Sequence, residues 1–125
     1  MTRVGYAILC DYAVADDKGK QVLVGVFDRI FVKEAPTTHG RCYLAVELRG
    51  IPGKVQVRVL VRDDASHDIL PAIGPLSVPL SPEYGGGNFI LEFNSLPLPR
   101  LGQYHILVEA DGKTIGERVL YVEKR

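Results

Sequence analysis

The stretch Leu96–Val122, LPLPRLGQYHILVEADGKTIGERVLYV, decides how the chain is read. A loop carrying Pro97 and Pro99 leads into a strand opened by Tyr104, then an Asp-Gly turn, then a returning strand. Tyr104, Ile106, Val108 and Ala110 alternate with His105, Leu107 and Glu109. That period of two marks a half-buried strand. Asp111 and Gly112 tolerate φ > 0, which tight hairpin turns require and β-branched residues resist. The stretch predicts the closing hairpin of an antiparallel sandwich.

Working outward, the same alternation recurs. Val4–Val14 reads as a strand, with Val4, Tyr6, Ile8, Cys10, Tyr12 and Val14 on one face. Asp16–Gly19 is turn chemistry. Gln21–Val32 is a strand or strand pair, apolar on both faces and interrupted at Asp28-Arg29; apolar residues on both faces predict a covered strand. Arg41–Arg49 and Lys54–Arg62 alternate cleanly around Gly50–Gly53 and predict a second hairpin. Asp63–Pro75 reads as a polar loop, Leu76–Leu80 as a short edge strand tolerant of Pro79, and Asn88–Asn94 as a strand with Phe89, Leu91 and Phe93 inward. No helical period and no internal repeat emerges. The prediction is one all-β domain over residues 1–125, a single immunoglobulin-like antiparallel β-sandwich of about seven or eight strands. Tyr104, just after Gly102 at the start of the penultimate strand, is placed like the tyrosine corner of such domains. The chain has no tryptophan, which separates it from the antibody type.

Composition bounds the partners. Fifteen basic and fifteen acidic residues cancel, so the electrostatic footprint of phosphate-backbone binding is missing and no nucleic-acid partner is expected. No stretch approaches the roughly 20 apolar residues of a membrane span. The apolar run before Ala15 carries Asp11 in its middle, which a secretory signal would not. Cys10 and Cys42 each sit in an apolar alternating run and read as free buried thiols, with a cross-sheet disulfide as the alternative. Together these features predict a cytoplasmic protein.

Leu9-Cys10-Asp11, Gly19-Lys20 and Gly25-Val26-Phe27-Asp28, with the later Phe93-x-x-Leu96-Pro97, Gly102-x-Tyr104 and Asp111-Gly112, are similar to an uncharacterised family of small bacterial proteins. The resemblance spans nearly the whole chain and rests on structural motifs. It implies an immunoglobulin-like sandwich and carries over no catalytic residue.

Candidate chemistry is sparse. Gly85-Gly86-Gly87 lacks the Gly-Lys-Ser/Thr ending and following helix of a phosphate cradle, and reads as a flexible loop. Asp63, Asp64 and Asp68 are oxygen ligands of the type calcium uses, but one loop cannot supply six to eight of them. The Asp111 turn shares an end with that loop only if Leu76–Leu80 is not a strand. His39, His67 and His105 have no metal-ligand spacing. Cys10 and Asp11 point to opposite faces and cannot act as a pair. Asp11 itself is expected to anchor backbone amides or an arginine such as Arg29, with a functional carboxylate as the alternative.

The function predicted is a non-enzymatic binding or assembly module. Tyr43, Ala45, Leu60, Ile90, Leu107 and Leu120 fall on outer sheet faces, and a protein partner or a homodimer is expected to cover them. The alternative is a small ligand-binding or metal-dependent sandwich acting through the Asp63–Asp68 loop. No catalytic, cofactor-binding or metal-ligating residue is assigned, and no cofactor is expected.

Overall fold

The computed structural model describes residues 1–67 and 69–125. Among the described residues nine strands form in chain order: β1 (Arg3–Ala15), β2 (Gln21–Val26), β3 (Arg29–Val32), β4 (Thr37–Arg49), β5 (Gly53–Asp63), β6 (Ile69–Leu80), β7 (Gly86–Leu98), β8 (Gly102–Ala110) and β9 (Lys113–Lys124). They build two sheets, ordered β2-β1-β4-β7 and β3-β9-β8-β5-β6. All pairings are antiparallel except β3 with β9, which run parallel from Arg29↔Tyr121 to Val32↔Lys124. The β-sandwich read from the sequence is therefore present, with nine strands in place of seven or eight.

The departures lie in two places, where one stretch is split into two strands and another strand is longer than read. Gln21–Val32 is split, because the chain crosses from one sheet to the other at Phe27-Asp28. The segment read as a loop up to Pro75 belongs largely to β6, which runs from Ile69 to Leu80 along the sheet edge. An edge strand accepts Pro75 and Pro79 because its outward N–H groups have no ladder partner to lose. Pro97 likewise lies inside β7, the other sheet's edge, instead of breaking the chain.

The core lies between the sheets. Leu9, Leu44, Val46, Leu48, Leu91 and Phe93 from one sheet meet Val57, Val59, Tyr104, Ile106, Val108 and Val122 from the other, all buried. Tyr104 closes the lower end as a tyrosine corner: its hydroxyl donates to the Arg100 carbonyl at 2.7 Å and accepts from the Arg100 amide at 2.9 Å. Burial raises its pKa, against the lowering pull of its Arg100 hydrogen bond.

Two bulges reassign faces. In β1 the register slips between Val4 and Tyr6, so Val4 packs on the core while Tyr6 faces out beside Glu47. In the closing hairpin it slips after Val108, so that Tyr104 opposes Leu120. Leu120 is consequently fully buried in the core, not outward as the simple two-residue hairpin register requires.

Candidate functional site

The feature that sets this sandwich apart is what happens to β1 after Cys10. Arg3–Cys10 pairs with β4, but the ladder to β4 ends at Cys10↔Tyr43. From Cys10 to Ala15 the strand pairs with β2 instead. The resulting β1–β2 hairpin folds across the outer face of its own sheet, and its anchors are specific. Gln21 Nε2 donates to the Phe89 carbonyl at 3.2 Å, Tyr6 Oη donates to Gln21 Oε1 at 2.5 Å, and Asn88 Nδ2 donates to the Gly19 carbonyl at 3.1 Å. Underneath, Cys10, Ala13 and Tyr43 form a second small core with Leu23 and Ile90 packed against it. Tyr12 meets the Tyr43 ring edge-on at 5.5 Å.

This third layer corrects the expected outer patch. Tyr43 and Ala45 are buried and Ile90 is half-buried against the small core, so no partner is needed to cover them. Leu60 is buried and Leu107 half-buried where they oppose each other on the second sheet. The apolar surface has moved to the hairpin's own far side. Tyr12, Val14, Val22 and Val24, which form the facing pairs Tyr12↔Val24 and Val14↔Val22, are 42–55% exposed, and Val26 beyond them is 58% exposed. Strand β2 thus buries only its Leu23 side, where apolar residues on both faces had predicted cover on both.

The remaining candidate residues do not converge. Asp63 is buried and turned inward, its Oδ1 accepting from the Ala65 amide at 3.0 Å and its Oδ2 3.3 Å from Arg100 Nε. Asp64 faces outward to His105, whose Nε2 lies 3.2 Å from Asp64 Oδ1 and whose Nδ1 lies 3.0 Å from Glu117 Oε2. His67 is held by its backbone at φ 61, its amide donating to the Asp63 carbonyl. His39 sits against Phe27, and Asp68 lies outside the described residues. Among the described residues no group of three or more His, Cys, Asp or Glu is placed to hold a metal ion. Because β6 is a strand, the Asp63 end and the Asp111 turn lie at opposite ends of β5.

Asp11 is exposed and does not meet Arg29, which pairs with Glu123 at 2.9 Å and stacks over Tyr121. Its carboxylate lies against Gly25, where any Cβ would collide with it. The expected arginine anchor is therefore replaced by a close packing contact on a glycine at φ +71. Cys10 and Cys42 lie on opposite faces of the sheet, one in each core, and are free thiols. Burial pushes Cys42 up to about 11, with the nearby Cys10 and Asp11 adding to it, and raises Cys10 as well. Both are protonated at neutral pH and poor nucleophiles.

Solved structures with the same fold are distant in sequence. An immunoglobulin-like protein of Pseudomonas aeruginosa is 12% identical, with a TM-score of 0.51, and the alignment covers 98% of this chain and 96% of that one. The alkylpurine DNA glycosylase AlkC of Pseudomonas fluorescens, solved bound to DNA containing an abasic site analog, is 11% identical at a TM-score of 0.59. A β-glucosidase of Listeria innocua is 12% identical at 0.54. The chain spans only 30% and 15% of the length of those two enzymes, so the likeness to them is to one part of a larger protein. No curated protein matches in sequence. Residues 5–123 match the family of unknown function DUF6941, and the chain belongs to that family.

Proposed function

We propose that the chain is a non-enzymatic assembly module of the bacterial cytoplasm that pairs with a second copy of itself through the outer face of the β1–β2 hairpin. The observation that carries this is the row Tyr12, Val14, Val22, Val24 and Val26, with no charged residue among them. Their exposed fractions amount to on the order of 400 Å² of apolar surface per copy, comparable with the largest patch on an ordinary monomer, which is often functional. That is about half of what a standard stable interface buries per partner, so the association is weak. Face-to-face stacking is favoured over edge addition at β2. Gly25, at φ +71, kinks the edge one residue before its end and leaves little straight ladder to extend. A two-fold stack matches an uncharged face to its own copy without like-charge repulsion. The two buried thiols fit a reducing compartment.

Light scattering across about 10–500 μM, the range suited to a small interface, tests the proposal. The apparent mass should climb from one chain toward two, and Val24→Lys should hold it at one chain without lowering the melting temperature. A parent mass of one chain throughout, or a Val24→Lys protein that still dimerises, would overturn it.

A further inference from the structure

Folding the hairpin over the sheet creates a groove that neither element has alone. Its tip, Lys18-Gly19-Lys20, stands above the β4 and β7 ends, facing Tyr84 across a floor of Gly86, Gly87 and Arg49. The groove is open to solvent and measures about 550 Å³, within the range of small-molecule sites. Its shape is fixed in advance. Asp16 Oδ1 accepts from the amides of Lys18 at 2.9 Å and Lys20 at 2.8 Å, and Asn88 ties Gly19 to β7. Gly86 leaves room for the Tyr84 ring that packs over it: a Cβ there would meet the ring at 3.1 Å.

The chemistry of the walls is one-sided. Lys18 and Lys20 have no carboxylate partner among the described residues, while Arg49 is paired with Glu47 at 3.3 Å. Among the side chains that line the groove, three cations stand against one carboxylate, Glu47; Asp16, Asp17 and Glu83 adjoin it in sequence outside the lining, and the Asp16 carboxylate is taken up by the turn's own amides. Tyr84 is 70% exposed beside this charge, its ring lying over a glycine. Beyond Tyr84 and Pro79 the lining is charged, amide or glycine backbone, so there is no apolar slot to sandwich a nucleobase.

We infer that this groove binds an acidic sugar, a pyranose ring carrying a carboxylate, sulfate or phosphate. The ring's C–H face stacks on Tyr84, the anion meets Lys18, Lys20 and Arg49, and the hydroxyls take the free carbonyl of Asn88 and the Glu47 carboxylate. This site stands apart from the self-association surface and does not depend on it. Amide NMR spectra titrated separately with glucuronate, glucose 6-phosphate, glucose, inorganic phosphate and adenosine monophosphate test it. The two acidic sugars should shift Lys18–Lys20 and Gly86–Asn88 saturably, with glucose at least about tenfold weaker. Tyr84→Ala should weaken acidic sugars about tenfold while leaving phosphate unchanged, and the double variant Lys18→Gln/Lys20→Gln should abolish binding of both. All three positions are exposed, so folding is retained and checked by circular dichroism. No saturable shift with either acidic sugar, tighter binding of adenosine monophosphate, or an acidic-sugar affinity indifferent to Tyr84→Ala would each overturn the proposal.

Discussion

Cys42 shows how one buried atom sets a pH limit on the whole domain. Its thiol sits in the main core with no accessible surface, and burial holds its pKa at about 11 against an ordinary value of 9.0. Below pH 9 the folded and unfolded chains both keep the proton, and nothing is lost. Between pH 9 and 11 the unfolded chain releases it first, so stability falls as pH rises through that window. A shift of this size corresponds to a loss of about 3 kcal/mol once both states are ionised. Tyr6 and Tyr104, raised in the same direction, steepen the slope, so the comparison is made against Cys42→Ala. Urea midpoints at pH 8 and pH 11 should converge for the two proteins as pH rises. A parent-to-variant gap independent of pH would show that the thiol is not desolvated.

At the level of the element, the closing hairpin was legible in its turn and only half legible in its faces. Asp111 at φ 49 and Gly112 at φ +85 form the left-handed pair that the Asp-Gly signal demands. A Cβ on Gly112 would meet nothing within 4 Å, so Gly112→Val costs only backbone strain, about 1–2 kcal/mol, read as a lower denaturation midpoint. An unshifted midpoint would mean the turn relaxes freely. The face assignment of β9 failed because a bulge adds one residue after the turn and inverts everything downstream. Ile115 is not a bulge signal by residue type; only the inward demand of Leu120 and Val122 against Tyr104 and Gly102 reveals it. The proposed site residues were hidden for a related reason. Lys18, Lys20, Arg49 and Tyr84 share no period or motif, and the fold-back of a hairpin is what brings them together. Apolar residues on both faces of β2 predicted cover on both sides; its own sheet covers one, and the other is exposed.

For the whole molecule, the parallel pairing of β3 with β9 joins Arg29 to Tyr121 and Val32 to Lys124. Most of the sandwich is likewise assembled from segments far apart in sequence, such as Thr37 with Leu98 and Arg3 with Arg49. Such topologies fold slowly, on the order of milliseconds to seconds, because loop closure comes before its reward. Refolding lost entirely within the dead time of stopped-flow mixing would contradict the long-range character of the pairing. The same feature has a consequence on the ribosome. At about 5–20 residues per second, β9 is synthesised several seconds after β3. During that interval β3 has no strand to lie against, and the sheet it belongs to has an unclosed edge. Strands β1, β2 and β4 are made first, but β7 completes their sheet only shortly before the last strand completes the second. Translation speed through β4 to β8 therefore sets how long an apolar sheet edge stays open to strangers in a crowded cell.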